Sequence, residues 1–526
     1  MARLETKDIL SKRDSLKEYY SSMHAEMRTA LSFYNLEAGA YALTLPDGFD
    51  AVIPPTARAI VDTAVDHIVT DKPVVTVPRL KDTEKAQNES DLLEKFYMGV
   101  LYKWEQESPE SVIRDLAKNG MIYGMLCWKG PLFDKTAWGK EPERLDGERA
   151  EDFEEREELW RMKRLFGFPF PVFSVDPINI MPDPSYVRPR YMIESSERRA
   201  VEVLAKYPDW PNSKRLDMNA PVQWLEYWDE NNVVYMADDV TISTKRNALG
   251  FLPYDVRYAG LGKESPDSKP EERARGILYG LKDSLRAEAR AKSAIDAALR
   301  VYAYGIWATD DDPSTLDITI APGEVNHIPA ASNFRRLDPP SLSPDLYRYV
   351  DIVKSDIERA SYSSVLAGIR PTGVASGYME AVQVGQARLR FGNLVRRLEV
   401  STALTLSRVL YLVKYLVREP VSVYAQLAKG PMFETVDPEK IGNNFQVYVS
   451  LEASDPEEND RRTMTGLNLL KGGAISLLTF LEHYARRPNA SNEIRRMMVE
   501  KLMQQPEIVR AMEQAAAKAW GMEAAL

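Results

Sequence analysis

Residues 368–378 read GIRPTGVASGY and interrupt two stretches that otherwise carry a helical pattern. Glycine and proline at this density favour a loop, because glycine adopts conformations that other residues avoid and proline cannot continue a helix. We therefore expect a mobile loop over 363–377, with Arg370 as the single charge in the quoted stretch. The candidates for its hinge are Gly368, Pro371 and Gly373.

The segments on either side of this loop predict two helices. Ser343 followed by Pro344 is a favourable cap and first position for a helix over 344–362. The apolar residues that share one face of this helix are Leu346, Val350, Val353 and Ile357. After the loop, a long helix is predicted from about Gly377 to Arg418. Between 381 and 418 the chain has seven Arg or Lys residues but only one acidic residue, Glu399.

A further helix and an insert come before this pair. Apolar residues at helical spacing predict a helix over 273–300, although Gly276 and Gly280 weaken its first turns, so its start is expected later. The insert over 301–343 contains the turn sequences DDDP and PG between strand-like runs. We expect it to be rich in strands.

The first half of the chain alternates helical and strand patterns. Residues 10–41 and 88–106 predict helices, and Ile60, Val61, Ala64, Val65 and Ile68 share one face of another. Short aromatic and β-branched runs over 169–258 predict strands and hairpins. The charge-dense stretch 134–164 is interpreted as a solvated helix or surface excursion. A strand over 445–452 and a helical tail from 456 complete an α+β chain.

Composition limits the function classes. The net charge of −10 over 526 residues argues against tight binding of nucleic acid through phosphate contacts. The single cysteine, Cys127, excludes an intramolecular disulfide and is interpreted as a small buried apolar residue. Arg408 and Lys414 interrupt the most apolar long segment, so we expect no membrane span and a soluble protein that folds inside the cell.

The sequence lacks the catalytic and cofactor motifs that we searched for. It has no phosphate-binding G-x-x-x-x-G-K-[ST] loop, no G-x-G-x-x-G after a strand, no H-E-x-x-H and no G-x-S-x-G. The four histidines are scattered, without metal-ligand spacing. We therefore predict no catalytic residues, no metal, no cofactor and no enzyme activity.

The order of these elements resembles the portal proteins of tailed bacteriophages over most of the chain. In this chain, ARAIVDTAVDHIVTDKPVVTVP resembles the early helix and strand of portal proteins. The portal wing segments have their counterparts in RDLAKNGMIYGMLCW, PVFSVDPINIMPDP and EYWDENNVVYMADD. IAPGEVNHIP is similar to the end of the clip, and GVASGYMEAVQVGQARLRFGNLVRRLE to the passage from loop to helix. LLKGGAISLLTFLE resembles the start of the C-terminal helical region. The stretch 134–164 has no counterpart and is treated as an elaboration.

The resemblance implies a multidomain subunit that assembles into a ring, usually a dodecamer. Its expected divisions are the wing (1–272), first stem helix (273–300), clip (301–343), second stem helix (344–362), channel loop (363–377), long wing helix with a wing strand (378–454) and helical crown (455–526).

The resemblance also implies a function. Such a ring forms the channel for packaging and ejection of double-stranded DNA at one capsid vertex. Its implied partners are further copies of itself, the major capsid and scaffolding proteins, the large terminase subunit, and later head–tail adaptor proteins. DNA contact is expected to be weak and indifferent to sequence, and no membrane is involved. The protein would assemble in the host cytoplasm and be part of the virion.

The channel loop and the stem supply the candidate DNA contacts. Symmetry would turn Arg370 into a ring of positive charge, although an ordinary interhelical loop with a solvated arginine is the alternative. The stripe Lys282, Arg286 and Arg290 has i, i+4, i+8 spacing. It either faces DNA or pairs with Asp351, Asp356 or Glu358 of the second helix or of a neighbouring subunit. Lys354 is one more channel-facing candidate. The basic long helix is interpreted as an ion-pair surface between subunits in preference to a DNA surface.

Two other function classes stay open at this point. One is a helical scaffold or adaptor that does not form a ring, and the other is a nucleic-acid-processing enzyme. The mass of the assembly separates a ring from a scaffold, and metal-dependent DNA cleavage would indicate the enzyme.

Overall fold

The computed structural model describes the following residues of the chain: 5–45, 49–69, 73–81, 83–184, 188–210, 217–263, 265, 267–304, 306–308, 335–337, 343–361, 389–427, 430–451, 456–485 and 490–503. The protein mixes helix and sheet, with 54% of residues helical and 16% in strands. The expected mixed α and β composition is therefore confirmed.

The helices of the described residues follow one another along the chain in three groups. Those before the stem region are α1 (Thr6–Tyr19), α2 (Ser21–Tyr34), α3 (Ala38–Tyr41), α4 (Thr56–Ile68), α5 (Glu84–Glu107), α6 (Val112–Tyr123), α7 (Ala150–Phe166), α8 (Ala200–Lys206) and α9 (Pro270–Arg273). The next are α10 (Lys282–Tyr304), α11 (Pro344–Ala360) and α12 (Gly392–Leu412). The tail contains α13 (Pro456–Lys471), α14 (Leu477–Thr479) and α15 (Ala490–Met503).

The strands form antiparallel sheets. They are β1 (Val74–Thr76), β2 (Met125–Lys129), β3 (Phe173–Ser174), β4 (Ile180–Pro182), β5 (Tyr191–Arg199), β6 (Pro221–Asp229), β7 (Asn232–Ala237), β8 (Val240–Arg246), β9 (Tyr254–Tyr258), β10 (Ile306–Ala308), β11 (Arg335–Leu337), β12 (Val421–Leu427), β13 (Gly430–Val436) and β14 (Tyr448–Ser450). The larger sheets have the orders β4-β5-β6-β7-β8 and β3-β2-β9, and the pairs are β1-β14, β10-β11 and β12-β13.

Local signals account for the passage from α6 to β2. The hydroxyl of Ser111 accepts a hydrogen bond from the backbone N–H of Arg114 at 3.2 Å and caps the helix start. Gly124 ends the helix with a φ of 71°, in the left-handed region that glycine adopts without strain. β2 follows at once and all five of its residues are buried. The order of helix, glycine and strand here follows from these local signals.

Two predicted helices differ in extent from the structure. The helical pattern over 10–41 is divided into α1, α2 and α3. One break falls at Tyr20, whose buried ring donates a hydrogen bond from its hydroxyl to the Pro182 carbonyl at 3.0 Å. The other falls at Leu36, which has a φ of 59°. The buried face predicted for 60–68 is confirmed in α4.

The helix predicted over 273–300 begins later, at Lys282, and extends to Tyr304. A Cβ atom on Gly276 would lie 2.0 Å from the carbonyl oxygen of Ile122. The next residue, Ile277, donates its backbone N–H to the Met121 carbonyl at 2.8 Å. The chain therefore crosses closely over the end of α6 before α10 starts, and this crossing requires glycine.

The helix pair around the predicted insert is present. In α11 the Ser343 hydroxyl accepts a hydrogen bond from the Asp345 backbone N–H at 3.2 Å, as predicted for a cap. Val350, Val353 and Ile357 are buried, as the pattern predicted, and α11 packs along α10. Within the insert over 301–343, β10 and β11 form an antiparallel pair. Most of the remaining insert lies outside the described residues.

After the insert, the chain folds back onto its first half. The long helix predicted over 377–418 is described from Leu389, as α12 and a wider turn over Val413–Val417, and 377–388 lie outside the described residues. β14 pairs with β1, and the hairpin β12–β13 packs on α5. Segments before and after the α10–α11 excursion thus share one core.

Candidate nucleic-acid interface

The predicted channel loop lies outside the described residues, together with Gly368, Arg370, Pro371 and Gly373. The residues that flank it are described, and they meet. Arg390 donates from its guanidinium to the carbonyl oxygens of Arg359 at 3.3 Å and Ala360 at 2.5 Å. These carbonyls end α11, where a cation is favourable because they carry the negative end of the helix dipole. The described ends on either side of 362–388 are therefore joined.

The basic stripe on α10 differs in environment along its length. Lys282 pairs with Glu26 of α2, and its side chain is only 16% exposed. Arg286 donates to the Ala40 carbonyl at 3.1 Å, lies 5.4 Å from the centre of the Phe33 ring and faces Asp283 at 3.5 Å. Arg290 is exposed and donates to the Arg286 carbonyl at 3.4 Å. The first two cations of the stripe are therefore held by the N-terminal helices and by α10 itself.

The acidic partners anticipated on α11 are not the ones that these two cations contact. Asp351, Asp356 and Glu358 are exposed on α11, whereas the carboxylates close to Lys282 and Arg286 are Glu26 and Asp283. Periodicity showed that the cations share a face, but not that α2 covers part of it. Lys354, the remaining stem candidate, is exposed on α11.

The helix pair leaves large apolar groups exposed. Tyr347, Tyr349 and Ile352 of α11 are each about half exposed, and so is Leu299 of α10. The face of α11 towards α10 buries Val353 and Ile357 in the same cluster as Leu281 and Leu285. Within the described residues, large apolar side chains on both flanks of this buried face thus remain exposed.

Most of the basic residues of the long helix have contacts within the chain. Lys414 donates to the Gly442 carbonyl at 2.8 Å, and Arg418 to the Tyr415 carbonyl at 3.1 Å. Arg408 lies 4.8 Å from the centre of the Phe251 ring, and burial lowers its pKa, partly offset by Asp255. Arg396 is exposed. The proposed ion-pair surface between subunits would therefore rest on few free charges.

A buried ionic cluster lies between the two larger sheets, and the sequence interpretation did not identify it. The Nζ atom of Lys129 in β2 lies 2.6 Å from Glu194 of β5 and 2.8 Å from Glu226 of β6. Tyr254 of β9 donates to Glu194 at 2.7 Å. Indole N–H groups donate to Glu226 from Trp224 at 3.0 Å and Trp228 at 3.1 Å. A charge inside the apolar runs MLCWK, MIESS and LEYW is the signal that could have revealed the cluster.

The charges of this cluster stabilise one another. Burial by itself lowers the pKa of Lys129, but Glu226 and Glu194 outweigh it and raise that pKa. Burial raises the pKa of Glu226, but Lys129 and the indole donors outweigh it and lower that pKa. Lys129 and Glu226 are thus ionised at neutral pH. Their side chains are less than 10% exposed, so the cluster joins the sheets and does not meet a substrate.

Other candidate chemistry is limited in the described chain. The Cys127 thiol is fully buried, and burial raises its pKa well above the usual value, as expected for an unreactive apolar residue. Among the described residues, no group of three or more His, Cys, Asp or Glu side chains is placed to hold a metal ion.

One described helix, Gly392–Val417, is long and apolar enough to cross a membrane by length and composition. In its most apolar window, 44% of the residues are buried within the protein. The same helix buries Ser401, which donates to the Asp255 carboxylate of β9. A core helix passes the same test of length and hydropathy.

No protein-family model matches the chain, and no curated protein matches its sequence.

Proposed function

We propose that the protein is a portal-type subunit. In this proposal, copies of the chain close into a ring at one capsid vertex, and double-stranded DNA passes through the ring during packaging and ejection. The wing, stem, clip and crown divisions anticipated from the sequence are part of this proposal.

The observation that carries the proposal is the pairing of α10 with α11. The two helices pack side by side, with the β10–β11 pair between them in sequence. The chain then returns, and α12 packs on α6 and β9 while β14 completes the strand pair with β1. A stem that projects from a wing, and a wing built from both halves of the chain, would have this arrangement.

Exposed apolar groups on the helix pair support assembly. Tyr349 and Ile352 are neighbours three residues apart on α11 and are each about half exposed. Neighbouring exposed apolar groups of this kind mark interaction sites. A ring would cover them by heterologous contacts that close.

The electrostatics support weak contact with DNA. The chain has a net charge of −10, and the charges of Lys282 and Arg286 are already opposed by Glu26 and Asp283. A ring that neutralises few DNA phosphates binds DNA with low affinity and lets it slide through. Arg290 and Lys354 are the exposed stem candidates for such contacts, and Arg370 is the candidate in the loop.

The proposal brings its partners with it. Besides further copies of the chain, they are the large terminase subunit, the major capsid and scaffolding proteins, and head–tail adaptor proteins. The implied location is the virion, after assembly in the host cytoplasm. The chain would contribute no catalytic chemistry, because the motor's ATPase would belong to the terminase.

The mass and shape of the purified protein test this function. We expect closed rings by negative-stain imaging and a mass of roughly half a megadalton or more, from a subunit of 59.6 kDa. Tyr349→Glu with Ile352→Glu should shift the rings towards monomers, because charges would enter a buried apolar contact. Val201→Glu, at an equally exposed apolar site on α8, should leave the rings intact.

A monodisperse monomer of the unmodified chain at micromolar concentration and moderate salt would refute the ring. An open or irregular oligomer would instead favour the scaffold alternative.

A further inference from the structure

The segment 141–166, here called the acidic arm, lies on the surface and is rich in acidic residues. Between 141 and 158 it has ten Asp or Glu residues and three Arg, a net charge of −7, compared with −10 for the whole protein. Its helix, α7, contains no buried residue, which confirms the predicted solvated stretch. The arm therefore contributes little to the core, and its side chains are available to a partner.

The C-terminal end of α7 attaches the arm to the protein. The Arg164 guanidinium lies 4.5 Å from the centre of the Trp138 ring and 5.5 Å from that of Trp160. It also pairs with Glu419, which follows the turn after α12. Phe166 makes an edge-on contact with Tyr424 of β12, with ring centres 5.3 Å apart. These contacts fix the end of the helix, and Leu159 and Met162 before it are exposed to solvent.

One exposed side of the helix before this end carries a continuous stripe. Its members recur at helical spacing and are Glu151, Glu155, Glu158, Leu159 and Met162. The acidic residues occupy the first half of the stripe and the apolar residues the second. Leu159 is 64% exposed and Met162 49%. At 1.5 Å per residue the stripe is about 17 Å long.

The backbone that leads into the stripe is held in place. The Glu148 carboxylate accepts two hydrogen bonds from Arg156 at 2.8 Å and one from the Leu145 backbone N–H at 2.9 Å. Arg156 also donates to the Glu143 carbonyl at 2.9 Å. The arm therefore presents its charges from a defined conformation, which lowers the entropy lost on binding.

Helix stability alone does not explain the stripe. The helix dipole favours acids in the first turn, which accounts for Glu151. It does not account for Glu155 and Glu158, which lie beyond that turn, or for adjacent large apolar side chains that face solvent.

We propose that the stripe of α7 binds an amphipathic helix of a partner protein whose contact face is basic at one end and apolar at the other. Opposite charges would orient the partner, and the apolar half would supply most of the binding energy. A second copy of the stripe does not fit as the partner. If the two helices ran parallel, the acidic half of one would face the acidic half of the other. If they ran antiparallel, each acidic half would face apolar side chains. This inference does not depend on ring formation.

A synthetic peptide tests the proposal on the full-length protein. The probe is a fluorescein-labelled 18-residue amphipathic helix with lysines along one half of its contact stripe and leucines along the other. A peptide of the same composition in scrambled order is the control. Fluorescence anisotropy should show binding of the patterned peptide that weakens as salt rises, since charge contributes to it.

Two sets of substitutions locate the binding. Glu151→Gln, Glu155→Gln and Glu158→Gln together, or Leu159→Gln with Met162→Gln, should each weaken binding at least tenfold. The charge variant should also lose the salt dependence. Val201→Gln with Glu202→Gln changes an exposed apolar and acidic pair on α8 and should alter binding less than twofold.

The result can contradict the proposal in three ways. The patterned peptide can bind no better than the scrambled one, or the variants can bind it as tightly as the unmodified protein. The unmodified protein can also self-associate without binding the peptide, and both sets of variants can lose that self-association. This result would instead assign the stripe to a second copy of the chain. All substituted residues are exposed, so circular dichroism should show unchanged folding in every variant. Ring formation should also be unchanged, which keeps this result separate from the proposed function.

Discussion

Replacing Lys129 with methionine tests the buried cluster between the two larger sheets. The substitution keeps the unbranched shape of the side chain but removes the cation from contacts at 2.6 Å to Glu194 and 2.8 Å to Glu226. Both carboxylates then remain buried without a compensating charge, apart from Arg198 at 3.5 Å from Glu226. Removing one member of a buried ion pair typically costs about 3–5 kcal/mol. We expect a loss in that range at pH 7.

The pH dependence of this loss gives a second, independent readout. In the unmodified protein the pKa of Glu226 is lowered in the folded state. Its stabilising contribution is therefore present above the unfolded value of about 4.3 and is lost as pH falls through the folded value. In the variant, burial should raise the pKa of the unpaired Glu226, so this carboxylate should take up a proton more readily when folded than when unfolded. The difference in stability between the two proteins should therefore shrink between pH 7 and pH 5.

Urea denaturation followed by tryptophan fluorescence measures both effects, because Trp224 and Trp228 donate to the cluster. Lys440→Met is the matched control, since Lys440 faces Asp437 at 3.3 Å but is 84% exposed. Its loss should be about 0.5 kcal/mol or less. A loss below about 1 kcal/mol for Lys129→Met, or a difference that does not shrink at pH 5, would refute the reasoning.

Three further predictions concern the stem and the loop. Gly276→Ala should lower the melting temperature by several degrees, because its Cβ would lie 2.0 Å from the Ile122 carbonyl oxygen. Gly280→Ala is the control and should be neutral or slightly stabilising, since a Cβ there would have nothing within 4 Å. Equal melting temperatures for the two variants would contradict the close crossing. Arg390→Ala should speed amide hydrogen exchange in the last turn of α11, since it removes donors to Arg359 and Ala360, and unchanged exchange there would argue against that tie. Arg370→Ala should leave rings and procapsids normal, with an expected stability cost of about 0.5 kcal/mol or less, but it should change DNA packaging or retention. Failure of this variant to form rings would show that the loop is structural. Unchanged packaging and retention would show that Arg370 is an ordinary solvated residue.

Elements with a local cause could be predicted from the sequence. Ser111, the apolar face of α6 and Gly124 lie within 14 residues, and together they specify a cap, a helix, a stop and the strand that follows. Ser343 and Pro344 similarly set the start of α11. Such signals act between neighbours on one helix or turn, so periodicity and residue type are sufficient to detect them. The mixed α and β composition and the solvated α7 follow from the same kind of pattern.

Contacts between distant segments were decided only by the tertiary structure. Lys129 is 65 and 97 residues from its two carboxylate partners, and Lys282 is 256 residues from Glu26. β1 finds β14 more than 370 residues away. The helical spacing of Lys282, Arg286 and Arg290 showed that they share a face, yet it could not show that α2 lies over part of that face. Local patterns fix which way a side chain points along its own element. Which surface it then meets depends on how the elements pack, and that is set by the burial of the whole core.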